Sequence, residues 1–374
     1  VTGKTTDWMA RASGPLPLAL FLWGLFQVPA FMEAKSLKAS FAWIPRLGVN
    51  MSFNLDGLSI LFVLIITGIG FFVTIYSADY LHGHKHKGRF FFFLHLFMLS
   101  MIGLVTADNA IALFVFWELT TIFSYLLIGF EHEQKSSRQS ARQALLVTGS
   151  GGLALLAAFL LMGIAAGTYE ISEMVGLSDS FRAHPLYVAI LCLLFLGAFT
   201  KSAQFPFHFW LPNAMAAPSP VSAFLHSATM VKGGIYLLAR FHPILGNTFP
   251  WEVVLVTVGA VTAVLGAFTA LGQSDLKKIL AYTTISALGI MIMLLGGQTT
   301  ASLTAVMTFL LVHALYKSAL FLVAGIVDHQ EGTREIEKLD GLARSMPATG
   351  LSAFAACFSM AGFPLFFGFI GKEK

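Results

Sequence analysis

The chain has 374 residues, of which 56% are hydrophobic and only 11% charged, with a mean hydropathy of +0.77. Soluble domains carry roughly 25% charged residues, so a water-soluble globular protein is excluded; the net charge of +4 comes from basic residues scattered in short loops, not from a nucleic-acid-binding patch. Cys192 and Cys357 lie in separate apolar segments, which argues against a disulfide framework or a metal knuckle and leaves a packing role.

Runs of about 18 or more mostly apolar residues give about eleven candidate membrane helices. They lie near 15–32, 56–80, 90–107, 110–130, 143–167, 186–210, 219–240, 251–272, 278–297, 302–327 and 348–371. Pro15, Pro17 and Pro29 crowd the first of them. Stop signals fall at His82–Arg89, Glu131–Arg142, Gln273–Lys278 and Asp328–Met346. No alternation of apolar and polar residues marks a strand, so a β-barrel is not expected. The fold class expected is an all-α polytopic membrane protein. The opening at Val1 and the close at Gly371-Lys372-Glu373-Lys374, directly after an apolar run, read as a fragment. The expectation is at least one further helix before residue 1 and one or more after 374.

Loop charge sets the expected orientation. Loops after the second, fourth, sixth, eighth and tenth candidates hold Lys85, Lys87, Arg89, Lys135, Arg138, Arg142, Lys277, Lys278, Arg334, Lys338 and Arg344. The opposite side holds only Lys35, Lys38, Arg46, Arg182 and Arg240. Positive loops stay in the cytoplasm, so the acidic loop Tyr169–Asp179 faces outward.

Two candidates echo each other. Phe199-Thr200-Lys201-Ser202-Ala203-Gln204-Phe205-Pro206 and Phe363-Pro364-Leu365-Phe366-Phe367-Gly368-Phe369-Ile370-Gly371-Lys372 each pair a lysine with a mid-span proline. Proline removes a helical hydrogen bond and clashes with the preceding turn, so broken helices are expected at Pro206 and Pro364. The two candidates are the sixth and the eleventh and therefore run in opposite directions. That pattern predicts two inverted five-helix repeats. The expected division is N-terminal helices over 1–89, a first repeat over 90–240 and a truncated second repeat over 251–374.

Ionisable side chains inside apolar runs are the candidates for function. Glu118, Lys201, Lys232, Lys317 and Lys372 all sit in such runs, and an ionised group at the bilayer centre costs about 2.5–3.5 kcal/mol on insertion scales. Glu118 suits a switchable ion pair with a lysine, or else a static packing pair. A buried lysine can exchange its proton where arginine would stay charged. Lys201 and Lys232 suit that role, with snorkelling to the surface as the alternative. His313 and Lys317 share a helix face at i,i+4 spacing, and His208 and His226 add two further imidazoles within the apolar segments. A single histidine reads equally as a satisfied core residue; three interleaved with lysines favour proton transfer.

Other chemistries find no support. There is no phosphate-binding Gly-x-x-x-x-Gly-Lys-Ser/Thr run. Gly149-Ser150-Gly151-Gly152 lies within an apolar span and suits close helix packing. The spans lack a His-x-x-x-His pair, and His82-Gly83-His84-Lys85-His86-Lys87 reads as a charged loop anchor before it reads as a metal site. No cofactor, metal or enzymatic activity is expected.

The string Lys201-Ser202-Ala203-Gln204-Phe205-Pro206-Phe207-His208-Phe209-Trp210-Leu211-Pro212-Asn213-Ala214-Met215 is followed by Ala217-Pro218-Ser219-Pro220-Val221-Ser222-Ala223-Phe224-Leu225-His226-Ser227-Ala228-Thr229-Met230-Val231-Lys232. Together they closely resemble the antiporter-like subunits shared by Mrp-type Na+/H+ antiporters and respiratory complex I. Asp56-Gly57-Leu58-Ser59, Trp117-Glu118-Leu119, Ser274-Asp275-Leu276-Lys277-Lys278 and His313-Ala314-Leu315-Tyr316-Lys317-Ser318 extend the resemblance over nearly the whole chain. Within the family the chain is most similar to the N-terminal part of the large A-type Mrp subunits, to which Met230-Val231-Lys232-Gly233-Gly234 points. The resemblance implies a hydrated mid-membrane axis through Glu118, Lys201, Lys232 with His226, Lys317 with His313, and Lys372. It implies a subunit of a hetero-oligomeric Na+/H+ antiporter in a bacterial cell membrane, driven by the proton motive force and serving pH homeostasis. Its partners would be the other subunits, membrane lipids, H+ and Na+, with no nucleic acid. The alternatives are a proton-pumping subunit of complex I or of a membrane-bound hydrogenase, and a non-transporting scaffold subunit.

Overall fold

Eight helices among the described residues are long and apolar enough to cross a bilayer: α1 (Pro15–Met32), α2 (Gly57–Tyr80), α3 (Lys87–Thr106), α4 (Ala110–Ile128), α5 (Lys135–Ala166), α8 (Phe249–Leu271), α9 (Leu276–Gly296) and α10 (Thr300–Glu331). Between and after them lie the shorter α6 (Tyr187–Lys201), α7 (Gly233–Leu245), α11 (Pro347–Ala361) and α12 (Phe367–Glu373). This computed structural model describes residues 13–33 and 35–373. Val1 and Lys374, where the sequence reads as a fragment, lie outside the described residues, as does the start of the expected unit 1–89. The protein is a mostly helical, multi-pass membrane protein.

The count of about eleven spans is therefore corrected to eight complete ones. The other three candidates are interrupted. At 1.5 Å per residue, α6 reaches only about 22 Å, short of a hydrocarbon core of roughly 30 Å. It stops at Lys201, and the chain then passes through Ala203 at φ 48° and the cis Phe205–Pro206 bond into short helical turns. α11 stops at Ala361, and Gly362, Pro364 and Leu365 separate it from α12. The span expected at 219–240 is also broken, at Thr229, where proline gives no warning. A helical turn over Ser219–Ser222 runs into a π-helical segment, Ala223–Ala228, and a tight turn at Met230–Lys232 precedes α7. Thr229 Oγ1 donates to Phe224 O at 2.7 Å and braces the end of the π-helical segment.

Two further expectations change. Residues 135–142, expected as loop, form the first two turns of α5, because Gln and Arg there are good helix formers despite their polarity. Strands also exist: β1 (Leu37–Ile44) pairs antiparallel with β2 (Val49–Leu55) across a turn at Pro45–Leu47. In β2, Val49, Met51, Phe53 and Leu55 alternate with Asn50, Ser52 and Asn54, which is the period of a half-buried strand.

Contacts sort the connections onto two faces. On the first, Lys85 Nζ lies 3.1 Å from Glu133 Oε1, and Arg334 pairs with Asp275 at 3.2 Å. On the second, the β-hairpin sits over the α3–α4 connection, with Asp108 N donating to Ser52 O at 2.8 Å. Glu170 there accepts from Asn50, Ser52 and Asn109 at 3.0–3.1 Å. The same face carries an ion pair, Arg240 to Asp56, at 2.5 and 2.9 Å. Asp56 also caps α2 by accepting from Ser59 N at 2.9 Å. Burial opposes its charge, but the hydrogen bond and charge of Arg240, aided by Ser59, outweigh it and hold the carboxyl below its ordinary value of 3.8. Asp56 thus joins a helix start to the middle of α7.

Breaking this pair from either side should destabilise the protein by about 3 kcal/mol or more, since the other charge is left partly buried and unpaired. Asp56→Ala and Arg240→Met should be clearly non-additive in thermal unfolding of the solubilised protein. Because the folded carboxyl titrates below 3.8, its contribution is complete above that value and lost as pH falls through the folded value. Additive losses would show that the pair does not couple.

Candidate functional site

Lys201, the last residue of α6, is fully buried, and its ammonium is built into the side of α4. Nζ donates to Trp117 O at 2.8 Å, Thr120 Oγ1 at 2.5 Å and Thr121 Oγ1 at 3.1 Å. All three N–H donors of the ammonium therefore have acceptors. The Trp117 ring lies beneath, 4.4 Å from Nζ to its centroid, adding a cation–π contact. Trp117, Thr120 and Thr121 come together because residues three and four apart share a helix face.

Glu118, the next residue on α4, does not contact this ammonium. The two interact electrostatically through space, but no ion pair within 4.0 Å joins them. The expected pair is thus a separated one. Glu118 is half-buried, and its Oε1 is buried without a protein hydrogen-bond partner. Gly151 and Gly152 on α5 make the room: a Cβ on Gly152 would collide with Glu118 Oε1, and one on Gly151 with Thr200 Oγ1. Gly151 and Gly152 therefore serve close packing, as the sequence suggests, whereas Gly149 faces open space; the side chain that Gly152 admits is the carboxylate.

From Lys201 the buried groups continue sideways. A Cβ on Gly233 would lie 3.9 Å from Lys201 Cε, so the lysine stem rests against the turn that carries Lys232. Ser202 Oγ donates to Val231 O at 2.7 Å and fastens that turn to the end of α6. Lys232 is fully buried and donates to Leu310 O of α10 at 3.2 Å. His313, one turn further along α10, lies within electrostatic reach of both Lys232 and Lys317. Lys317, also fully buried, donates to Leu280 O of α9 at 3.2 Å and to Thr283 Oγ1. Neither ring nitrogen of His313 has a protein partner, and the same holds for His226. Among the described residues, none of these three lysines has a carboxylate within ion-pair distance.

Two expected members stand apart. His208 is half-exposed in the turn after the break, its ring stacked on Phe205 at 6.1 Å between centroids. Lys372, expected deep in a span, is exposed on α12, its stem against Gly362. α12 packs mainly against α10 and α11.

Two buried lysines, Lys87 and Lys277, escape the sequence reading. Lys277 looks like loop charge, yet it is 2% exposed and donates to Ala217 O at 3.0 Å. It lies within electrostatic reach of His226, whose ring faces Trp210 at 6.2 Å. The signal was present: Lys277, Leu280, Ala281, Thr284 and Leu288 form one helical stripe, and all are buried.

Most of the sequence matches known family models. Residues 107–374 match the transmembrane family described as NADH:quinone oxidoreductase/Mrp antiporter, and residues 43–91 match the N-terminus of complex I chain 5. The chain belongs to this antiporter-like membrane family. A probable A/B-type K+/H+ antiporter subunit of Rhizobium meliloti is 45% identical over 367 residues, covering 98% of this chain and 36% of the relative. A putative antiporter subunit of Staphylococcus aureus is 44% identical over 372 residues, covering 96% and 46%. The chain thus spans less than half the length of these curated relatives. Among solved structures, the Mrp complex from Dietzia superposes with a TM-score of 0.91 at 43% identity, over 99% of this chain and 41% of that one. Respiratory complex I from Thermus thermophilus gives a TM-score of 0.84 at 25% identity, over 100% and 77%.

If the threonines of α4 hold the Lys201 ammonium, Thr120→Val should cost about 1–3 kcal/mol of stability, because a charged donor loses an acceptor. In a Lys201→Met background the same change should cost less than half as much. Thermal unfolding of the four members of this cycle measures the difference. An equal cost in both backgrounds would separate Thr120 from Lys201.

Proposed function

We propose that the chain is part of a subunit of a multi-subunit monovalent cation/H+ antiporter of the Mrp type in a bacterial cell membrane. The observation that carries this reading is the set of buried ammonium groups, Lys201, Lys232 and Lys317, held by neutral oxygens without carboxylate partners, with the unpartnered His313 within electrostatic reach of the last two. A structural lysine in a membrane interior is normally neutralised by an acid. Held as these are, the amines gain or lose a proton without tearing an ion pair apart. The names of the Rhizobium and Staphylococcus relatives and the fit to the Dietzia complex support antiport over a redox-driven pump. The exchanged cation is Na+ or K+; the Rhizobium relative's name specifies K+.

Protons move in this reading between Glu118 and Lys201, then by way of Lys232 and His313 to Lys317, with water joining the unpartnered nitrogens and the Glu118 oxygen. His226 and Lys277 form a side branch toward the first face. Each added charge raises the energy of the next by an amount that weak interior screening keeps large, so loading at one end favours release at the other. Lys372 would extend the axis beyond α10. Units 90–240 and 251–374 form the two inverted repeats, with the breaks at Pro206 and Pro364 as equivalent points. Lysine precedes the proline in one and follows it in the other.

Two experiments test this. In everted vesicles carrying the whole complex, Glu118→Gln and Lys201→Ala should abolish cation-dependent proton movement while the subunits still co-purify. Exchange at the normal rate in Glu118→Gln would remove that carboxylate from the pathway. Wild-type antiport under an imposed pH gradient should survive respiratory inhibition; its loss would favour redox-driven pumping.

The first face is cytoplasmic in this reading, because it gathers the basic loops. A cysteine at the exposed Ser180, with Cys192 and Cys357 replaced, should react in intact cells with a membrane-impermeant thiol reagent. Labelling only after the membrane is opened would invert the orientation.

A further inference from the structure

On the first face, the start of α3, the end of α4 and the start of α5 enclose a cavity of about 230 Å³. Arg89, His132 and Arg138 line its polar end; Phe93, Tyr125 and Leu126 line the rest. The two arginines converge without a counterion. Arg89 Nη2 donates to Phe130 O at 3.2 Å and lies 3.4 Å from His132 Nδ1, and its guanidinium stands 5.2 Å from the Phe130 ring centroid. Its Nε is buried and has no protein partner. Arg138 Nη1 donates only to main-chain carbonyls, His132 O at 2.6 Å and Glu133 O at 2.9 Å. The nearby carboxylates are engaged elsewhere: Glu131 with His84 at 3.4 Å and Glu133 with Lys85 at 3.1 Å. Among the described residues, no acid lies within 4.0 Å of either arginine.

We propose that this cavity seats an anionic phospholipid, with its phosphate on Arg89, His132 and Arg138 and an acyl stem along Phe93 and Leu126. Guanidinium forks match phosphate oxygens bidentately, and two of them facing one cavity leave a site for a single anion. Depth selects the lipid over a soluble anion. Arg89 lies in the first turn of α3, and Phe93, one turn on, is about 6 Å deeper. A ligand charged at headgroup level and apolar one turn below it is an amphiphile oriented as the bilayer orients its own lipids. Basic pockets between membrane helices on the positive face are suited to such headgroups. Lys135 and Arg142 on the same connection and first turns of α5 add to the positive field. This site is separate from the buried lysines, so its occupancy does not depend on the antiport reading.

Native mass spectrometry of the intact complex carrying the full-length subunit provides the test. The complex is equilibrated in nanodiscs of phosphatidylglycerol mixed with phosphatidylcholine, then released. The wild type should retain phosphatidylglycerol preferentially, and the preference should fall as salt rises. An Arg89→Gln/Arg138→Gln variant should bind one phosphatidylglycerol roughly thirtyfold more weakly, while Arg89→Lys/Arg138→Lys keeps part of the affinity. No phosphatidylglycerol preference in the wild type would overturn the proposal, and this arm needs no variant to fold. Equal retention by wild type and the glutamine variant would also overturn it. Displacement of the lipid by millimolar inorganic phosphate would reassign the site to a soluble anion.

Discussion

A primary ammonium inside a bilayer must find oxygen, and in this protein that need shapes the backbone as well as the side chains. Four buried lysines each reach a main-chain carbonyl on another helix or turn: Trp117 for Lys201, Leu310 for Lys232, Leu280 for Lys317 and Ala217 for Lys277. An intact helix has its carbonyls already bonded, so such a contact is a shared one. Threonine supplies the remainder at Thr120, Thr121 and Thr283, where a hydroxyl accepts from the lysine while its own proton turns elsewhere. The irregular segments fall beside these lysines. Lys201 ends α6, and Lys232 closes the turn before α7.

The arrangement also explains which small residues matter. Gly151 and Gly152 bring α5 against α4 and α6 closely enough that Thr200 and Glu118 occupy the volume a methyl group would take. The carboxylate is thereby held near the ammonium without touching it. A direct pair would be tighter but harder to open, and removing either partner from a buried contact costs several kcal/mol. The separation keeps the electrostatic influence and leaves the acceptors of Lys201 neutral.

Much of this is legible in the sequence, for reasons that can be stated. The long apolar runs mark the eight complete helices because length and hydropathy are what a bilayer selects. Pro206 and Pro364 mark two of the breaks because proline lacks a donor. The third break is not legible, since Thr229 and the π-helical turn before it are set by packing among neighbouring helices and not by any breaker residue. Lys277 escapes notice because a charge beside a loop looks like loop, although its helical stripe places it inward. Lys372 lies in an apolar run but is exposed among the described residues, on the last helix of the sequence. The β-hairpin is hidden although β2 alternates regularly, because seven residues of period two are a weak signal beside long apolar runs. The separation of Glu118 from Lys201 depends on side-chain placement that spacing along the chain does not encode.

The π-helical segment is pinned at both ends. On the first face, Lys277 grips Ala217 just before Ser219; on the second, Arg240 near the middle of α7 is bolted to Asp56. Between these anchors the backbone breaks at Thr229, so His226 and Lys232 stand on separate short turns. The two heads are set by two independent stretches of backbone, hinged at one residue, inside a segment whose ends are tied to opposite faces.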